Sequence, residues 1–241
     1  MRLDVWVAER GLCKSRTEAQ DLIRSGNVRV NGRVCTQCSF QVQTDAIVDV
    51  TPGCRYVSRG GLKLEAALET FSLDPSGSVC MDIGASTGGF TDCLLQYGAR
   101  MVYAVENGHG QLAPSLAADP RVRSYEHYHA KNLCAEDFPE RPTFYTMDVS
   151  FISQTLILPA LAKMMPEGAR LVSLIKPQFE AGRAYIGAHG LVKSEEGRRF
   201  ACDRVLSTAS ALGLAPGKVI PSPITGGDGN TEYLVCLTKE N

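Results

Sequence analysis

One glycine-rich turn constrains the fold of this chain more than any other feature of its sequence. An apolar run at 79–83 leads directly into a turn that contains Gly84, Gly88 and Gly89, and a helical stretch follows. In open α/β sheets, nucleotides bind at a glycine-rich turn after the first strand, because the absent side chains let a ligand approach the backbone. The turn therefore predicts a cofactor site at the carboxyl end of a first parallel strand.

Strands and helices alternate through the rest of the chain, which is typical of a doubly wound, mainly parallel sheet. The predicted strands cover 79–83, 101–105, 122–126, 143–147, 170–175, 217–221 and 232–238, and the predicted helices cover 88–97, 110–118, 152–165 and 194–212. We expect an α/β fold, with a Rossmann-like domain whose seven-stranded mixed sheet is mainly parallel, preceded by a small α+β domain. The expected division is 1–54 for the small domain, 55–61 for a linker and 62–241 for the larger domain.

The small domain is predicted to hold two helices and a hairpin. Ser15-Arg16-Thr17-Glu18 has the capping-box pattern at the start of a helix over 16–25, which Gly26 can end. Asn31-Gly32 is the dipeptide that type I′ hairpin turns prefer. Residues 1–60 carry nine Lys or Arg against six Asp or Glu, while the remainder carries 16 against 20. The basic excess favours a polyanionic partner, although a solvated surface of mixed charge explains it about as well.

Two acidic residues favour S-adenosylmethionine over a dinucleotide as the cofactor. The glycine spacing is G-x-x-x-G-G, so the pyrophosphate fingerprint G-x-G-x-x-G is not met. Asp82 beside the ligand would repel a pyrophosphate and attract a sulfonium, and Glu106 at the end of the second strand would accept hydrogen bonds from a ribose diol. The candidate cofactor-binding residues are Asp82, Gly84, Ser86, Gly88, Gly89, Phe90, Glu106, Asn107 and Asp148.

Charged residues stand at further strand ends without an obvious structural need. Asp148 and Lys176 each end an apolar strand, Glu232 enters the last strand, and Lys63 lies on the helix before the first. Carboxyl ends of parallel strands line the ligand crevice, and a buried ammonium is costly unless it is paired. One such charge alone is most often a salt bridge or a solvated strand end, whereas four together favour a catalytic site.

These motifs resemble those of a known family, the FtsJ-like 2′-O-ribose methyltransferases, over the range 56–235. With its N-terminal domain the chain is similar to the TlyA type, often labelled hemolysin A. The matching elements are Arg59-Gly60-x-x-Lys63, Asp148-x-Ser150-Phe151-Ile152-Ser153, Lys176-Pro177-Gln178-Phe179-Glu180 and Gly229-Asn230-Thr231-Glu232-Tyr233. The resemblance implies a catalytic tetrad of Lys63, Asp148, Lys176 and Glu232. It also implies ribosomal RNA as substrate, with cytidine as the modified nucleoside.

The N-terminal stretch resembles the small RNA-binding domain shared by a ribosomal small-subunit protein, some tRNA synthetases and pseudouridine synthases. The candidate RNA-binding residues are Arg2, Lys14, Arg16 and Arg59. The expected partners are ribosomal RNA or ribosomal subunits, and neither a membrane nor a protein partner is expected. A pseudouridine synthase is disfavoured, because its catalytic Gly-Arg-Leu-Asp element does not occur in this sequence.

The chemistry of such a tetrad follows from the weak nucleophilicity of a sugar hydroxyl. Attack on a sulfonium methyl needs a positioned base or a cation that stabilises the developing alkoxide. Lys176 beside Lys63 would have its pKa lowered by like charge and burial. We expect Lys176 to be the base or the alkoxide stabiliser and Lys63 to hold the ribose, while Asp148 and Glu232 orient the two lysines.

Other function classes receive less support from the sequence. No export signal is evident, and the longest apolar stretch, 155–165, is shorter than the roughly 18 residues that a membrane span needs, so we expect a cytoplasmic protein. The nine cysteines are an odd number, and Cys35-x-x-Cys38 lacks a second pair, so neither disulfides nor a metal site is expected. The alternatives are a non-catalytic, cofactor-sensing RNA-binding protein and a membrane-active hemolysin, for which only the family label speaks.

Overall fold

The chain folds into two compact units, Met1–Cys54 and Arg55–Asn241. The structure is a computed structural model, which describes residues 1–13, 15–24, 26–43, 45–51, 55–226 and 228–240. Lys14 and the side chain of Glu18 lie outside the described part. The expectations of an RNA contact by Lys14 and of a capping-box contact by Glu18 therefore fall outside the described residues.

The smaller unit packs two helices against a three-stranded antiparallel sheet. Its elements are α1 (Leu3–Glu9), α2 (Arg16–Arg24), β1 (Val28–Val30), β2 (Arg33–Val34) and β3 (Val48–Val50), with strand order β2-β1-β3. Asn31 and Gly32 join β1 to β2 with φ of 49° and 77°, so the predicted hairpin turn is confirmed. The core between helices and sheet contains Leu3, Val7 and Ile23, all fully buried.

The larger unit contains a seven-stranded mixed sheet. Its strands are β4 (Val79–Ile83), β5 (Met101–Val105), β6 (Val122–Tyr125), β7 (Phe144–Met147), β8 (Arg170–Ile175), β9 (Leu214–Pro221) and β10 (Tyr233–Lys239). They lie in the order β6-β5-β4-β7-β8-β10-β9. The first five are parallel, and β10 runs antiparallel to both of its neighbours. This is the predicted fold class.

Helices accompany the sheet and bury its central strands. They are α3 (Gly60–Thr70), α4 (Gly89–Gln96), α5 (Pro114–Ala117), α6 (Leu158–Met164), α7 (Pro177–Glu180) and α8 (Glu195–Ala211). All five residues of β4 are buried, as expected for a strand that is covered on both faces. The chain leaves β4 for β5 on one side and later returns for β7 on the other. The strand order therefore reverses at β4, and such a reversal opens a ligand crevice at the carboxyl ends.

Two local differences from the predicted elements have physical causes. The helix expected over 152–165 is divided into a 3₁₀ turn, Gln154–Leu156, and α6, because Pro159 is tolerated only in a first helical turn. The stretch expected as a linker packs within the larger unit. Arg55 Nη1 lies 2.6 Å from Glu65 Oε1, and the ring of Tyr56 is 3% exposed.

Candidate active site

A cavity of about 630 Å³ opens at the carboxyl ends of the central strands. Its volume is in the range of sites that hold a small-molecule cofactor. Five of the nine predicted cofactor-binding residues line it, namely Gly84, Ser86, Glu106, Asn107 and Asp148.

Gly84 allows two strand ends to approach closely at the cavity floor. Its φ is +81°, and a Cβ at this position would lie 2.4 Å from the carbonyl oxygen of Asp148. The Asp148 amide in turn donates to the Ile83 carbonyl at 2.9 Å. A side chain at Gly84 would therefore push the Asp148 strand end away from the glycine-rich turn.

Three residues of that turn do not line the cavity, contrary to the expectation for Gly88, Gly89 and Phe90. Phe90 is 3% exposed and belongs to the core. A Cβ on Gly89 would lie 3.0 Å from the amide nitrogen of Gly61. Gly89 therefore lets α3, the helix that carries Lys63, pack closely against the start of α4.

Glu106 joins the two loops at the edge of the cavity. Its Oε2 accepts a hydrogen bond from the Ser86 amide at 3.0 Å, and its Oε1 accepts one from the Gly108 amide at 2.8 Å. A carboxylate has about four lone-pair sites, so both oxygens can accept further bonds. Glu106 is thus pre-oriented at the end of β5 and remains able to receive a diol.

Asp82 lies beneath the cavity, and its carboxylate does not face it. The side chain is fully buried and accepts hydrogen bonds from Thr91 Oγ1 at 2.7 Å and Thr146 Oγ1 at 2.9 Å. The sequence predicted a direct contact between Asp82 and the ligand. In the structure Asp82 is buried beneath the cavity, so it can act on a bound ligand only through its negative charge. Burial raises the pKa of this carboxyl to about 6, against the opposing hydrogen bonds.

The burial of Asp82 predicts a pH-dependent stability. Because its folded pKa is about 6 and its reference value is 3.8, the folded protein binds more protons than the unfolded chain between these values. The free energy of unfolding therefore falls as the pH rises through that interval, by about 2 to 3 kcal/mol. Asp82→Asn keeps a hydrogen-bond partner for each threonine, because its amide can accept from one hydroxyl and donate to the other. The free energy of unfolding of this variant, measured with urea at pH 4 and at pH 7.5, should not show the wild-type decrease.

The exposed Asp203→Asn variant on α8 provides the matched control and should keep the wild-type pH dependence. An Asp82→Asn protein whose stability varies with pH as much as the wild type would assign the loss to other groups.

Two lysine–carboxylate pairs stand at adjacent strand ends beside the cavity. Lys176 Nζ lies 2.6 Å from Asp148 Oδ1 and donates to Ser150 Oγ at 2.8 Å. Lys63 Nζ lies 2.5 Å from Glu232 Oε2. The pairing of Tyr233 with Ile175 across β10 and β8 puts the Glu232 and Lys176 positions next to each other. All four residues of the predicted tetrad are therefore brought to one edge of the sheet.

The ion pairs differ from the prediction that the amines of Lys176 and Lys63 lie next to each other. Each lysine has a carboxylate as its direct neighbour. The Lys63–Glu232 pair is deeply buried, with 10% and 3% of the side chains exposed. Asp148 and Ser150 line the cavity, whereas Lys63, Lys176 and Glu232 do not. Lys176 contacts both of these lining residues and therefore lies directly behind the cavity wall.

Sequence reasoning missed several polar residues of the cavity wall. Ser150 stood within a recognised motif, but its bond to Lys176 depends on the proximity of two separate strand ends. Gln111, Tyr128 and Lys131 also line the cavity. Gln111 belongs to the stretch predicted as a helix over 110–118, but α5 covers only Pro114–Ala117 and Gln111 precedes it. Tyr128 and Lys131 follow β6, where no element was predicted.

The smaller unit brings two of the predicted RNA-binding residues together on one buried carboxylate. Asp4 is fully buried, with its oxygens 2.9 Å from Arg2 Nε and 3.1 Å from Arg16 Nε. The hydrogen bonds from Arg2 hold the pKa of Asp4 well below its ordinary value. Both arginines are about half exposed, so their remaining donors face solvent. Arg59 belongs to the larger unit, where it is exposed just before α3.

In the part of the chain that the structure describes, no group of three or more His, Cys, Asp or Glu side chains is arranged to hold a metal ion. None of the helices in that part is both long enough and apolar enough to cross a membrane.

Comparisons with known proteins agree with the geometry. Residues 56–239 match the FtsJ-like methyltransferase family, and residues 1–48 match the S4 domain. The 16S/23S rRNA (cytidine-2'-O)-methyltransferase TlyA of Mycobacterium tuberculosis is 41% identical over 99% of this chain and 90% of its own length. Hemolysin A of Brachyspira hyodysenteriae is 42% identical over 97% of this chain and 98% of its own length.

A solved structure also resembles the whole chain. The protein named "Putative hemolysin from Streptococcus thermophilus" superposes with a TM-score of 0.80 at 42% identity, covering 100% of this chain and 89% of that one. The matches to both domains and the full-length relatives lead to one assignment. The chain belongs to the FtsJ-like methyltransferase family and, with its S4 domain, to the TlyA type within it.

Proposed function

We propose that this protein transfers the methyl group of S-adenosylmethionine to the 2′-hydroxyl of a cytidine ribose in ribosomal RNA. The observation that carries the proposal is the position of two lysine–carboxylate pairs at adjacent strand ends beside a cofactor-sized cavity. The name and full-length similarity of the Mycobacterium tuberculosis relative support the substrate.

The residues of the cavity suit S-adenosylmethionine in size and charge. Glu106 offers acceptors for the ribose diol, Gly84 leaves space at the backbone, and Asp148 supplies negative charge near the floor. When bound, the cofactor supplies an electrophilic methyl carbon on a positively charged sulfur. Ser86 and Asn107 complete the proposed cofactor contacts, while Gly88, Gly89, Phe90 and Asp82 support the site from beneath.

Lys176 is the proposed catalytic group for the ribose hydroxyl. The Lys176 ammonium lies beside Asp148 and Ser150 at the cavity wall, where it would stabilise the developing 2′-alkoxide. The hydroxyl proton would pass to the Asp148 carboxylate, which lies 2.6 Å from the Lys176 Nζ. Lys63, held by Glu232, is proposed to position the ribose from the adjacent strand end.

Phe151 is the proposed contact for the target base. It lines the cavity, its side chain is 92% exposed, and its φ is +63°, a conformation that costs a bulky residue free energy. Its ring lies 5.3 Å from that of Phe179, between centroids. An exposed and strained aromatic residue beside a reaction site suits stacking against an unpaired nucleobase.

Replacement of Phe151 by alanine should therefore impair use of RNA without loss of folding stability. Base–aromatic stacking contributes about 1 to 3 kcal/mol, so kcat/KM for RNA should fall about tenfold or more. Leu156→Ala removes another exposed apolar side chain, 61% exposed, and should leave kcat/KM unchanged. Equal kinetics for the Phe151→Ala variant and the wild type would remove Phe151 from the RNA site.

The S4 domain is the proposed anchor on ribosomal RNA. Asp4 holds Arg2 and Arg16 side by side, which suits contact with phosphates, and Lys14 and Arg59 remain proposed contacts. In this proposal residues 1–54 bind RNA, and the larger unit, which includes the stretch 55–61 that was expected as a linker, carries the chemistry. The substrate places the reaction in the cytoplasm.

Two alternatives lead to different observations. A non-catalytic, cofactor-sensing RNA-binding protein would have no use for the two ion pairs at the strand ends. The name of the Brachyspira hyodysenteriae relative suggests membrane lysis as an alternative activity. Incubation of purified protein with red cells tests it directly.

The experiment is transfer of labelled methyl from S-adenosylmethionine to ribosomal subunits that lack the modification. Label in ribosomal RNA supports the proposal. Binding of cofactor and RNA without any transfer would favour the sensing alternative, and lysis without transfer would favour the hemolysin.

A further inference from the structure

We infer that Glu180 is a positioning residue for the Lys176–Asp148 pair, an inference that rests on the proposed function. Its buried carboxylate joins the segment that carries Asp148 to the short helix that follows Lys176. Glu180 ends the Lys176-Pro177-Gln178-Phe179-Glu180 element and has no part in the proposed chemical step.

The contacts of Glu180 reach across two separate chain segments. Its Oε2 accepts a hydrogen bond from Ser153 Oγ at 2.6 Å, and its Oε1 accepts one from the Gln154 amide at 2.7 Å. Glu180 is 1% exposed. It lies four residues after Lys176, and Ser153 lies five residues after Asp148. One carboxylate therefore fixes the separation of the two segments that bear the catalytic pair.

Gln154 makes a second connection between the same segments. Its Nε2 donates to the Leu174 carbonyl at 2.6 Å, and its Oε1 accepts from Ser173 Oγ at 2.7 Å. Both partners lie in β8, immediately before Lys176. The segment after Asp148 is thus held to β8 and to α7 on either side of the lysine.

Burial of a carboxylate costs free energy unless both of its oxygens accept hydrogen bonds. Burial raises the pKa of Glu180, and the opposing influences are the bonds from Ser153 and Gln154 and the positive charge of Arg204 on α8. Arg204 Nη1 also donates to the Glu180 carbonyl oxygen at 3.0 Å. The Gln154 amide can only donate, the Ser153 hydroxyl donates here, and a glutamine side chain has only one acceptor oxygen. With glutamine at this position the Ser153 hydroxyl would have to reverse and accept, which would change its contact with Thr155.

The role predicts a specific kinetic defect in Glu180→Gln. A displacement of about 1 Å at a reaction site can cost about a hundredfold in rate, so kcat should fall about 10- to 100-fold. KM for RNA and the dissociation constant for S-adenosylmethionine should change much less than kcat, because Gly84, Ser86 and Glu106 do not lie on the segments that Glu180 joins. Glu167→Gln, at an exposed glutamate before β8, is the matched control and should behave as wild type.

The pH profile separates positioning from a general structural role. Protonated Glu180 resembles glutamine, so the kcat of the wild type should fall toward that of Glu180→Gln as the pH falls through the raised pKa of this carboxyl. The variant should lack this acidic limb. An unchanged kcat, or a lowered kcat with the wild-type limb intact, would overturn the inference.

Two further measurements keep the test decisive. Ser153→Ala removes one donor and leaves the other, so it should lower kcat less than Glu180→Gln does; a wild-type kcat would count against the inference even if the first variant failed to fold. The separation of Lys176 Nζ and Asp148 Oδ1 in a crystal structure of Glu180→Gln should differ from that in the wild type. The Lys176–Asp148 distance can be measured without any activity. An inactive wild type would refute the proposed function, and the positioning role of Glu180 would then be judged by this distance alone. An unchanged distance in Glu180→Gln would overturn the positioning role.

Discussion

Lys176→Ala should abolish methyl transfer to RNA while S-adenosylmethionine still binds. The Lys176 ammonium contacts Asp148 and Ser150 at the cavity wall, whereas the proposed cofactor contacts come from Gly84, Ser86 and Glu106. Removal of one group that stabilises a developing oxyanion costs about 10²- to 10³-fold in kcat. The proposed mechanism assigns this role to Lys176, so we expect a loss at the upper end of that range, about 10³-fold.

Single-turnover transfer and calorimetric titration of the cofactor measure the two parts of this prediction. Lys218→Ala removes an exposed lysine from β9 and serves as the control, with wild-type kinetics expected. Transfer by the Lys176→Ala variant within tenfold of the wild-type rate would remove Lys176 from the mechanism. Loss of cofactor binding would make it a binding residue instead.

Glu232→Leu should be the most destabilising substitution at the site. It leaves the Lys63 ammonium buried without its partner, and breaking a buried ion pair in this way costs about 3 to 5 kcal/mol. Replacing both members, with Lys63→Met and Glu232→Leu together, removes the unpaired charge. The double variant should recover most of the free energy of unfolding but should not recover methyl transfer.

Urea unfolding and single-turnover transfer on the two variants test this separation. Lys63→Met alone leaves a buried carboxylate and should also be strongly destabilised. A loss below about 1 kcal/mol in Glu232→Leu would mean that the pair is effectively solvated. Recovery of transfer in the double variant would mean that the pair has no catalytic role.

The fold was predictable because its signals are local. The Asn31-Gly32 turn requires positive φ at both residues, and it has them. The apolar strands and their order of alternation with helices predicted the mixed, mainly parallel sheet that the structure contains. Helix lengths were less predictable, since Pro159 and the loops beside the cavity shorten helices that periodicity alone extends.

The site was predictable in its residues and less so in its arrangement. Charges at the ends of apolar strands identified Asp148 and Lys176, but the pairing of each lysine with its own carboxylate depends on the register of β8 and β10. The burial of Asp82 depends on two threonines from different elements. The exposure of Phe151 follows from a backbone conformation that its sequence does not specify.

The central claim is that the methyl group is transferred to a ribose oxygen, and nucleoside analysis of the modified RNA tests it most directly. Ribosomal RNA treated with the protein and labelled cofactor is digested to nucleosides, which are separated and identified by mass. The account predicts that the label appears in 2′-O-methylcytidine and disappears with Lys176→Ala. Label on a base, or no label in RNA from substrate-competent subunits, would contradict it.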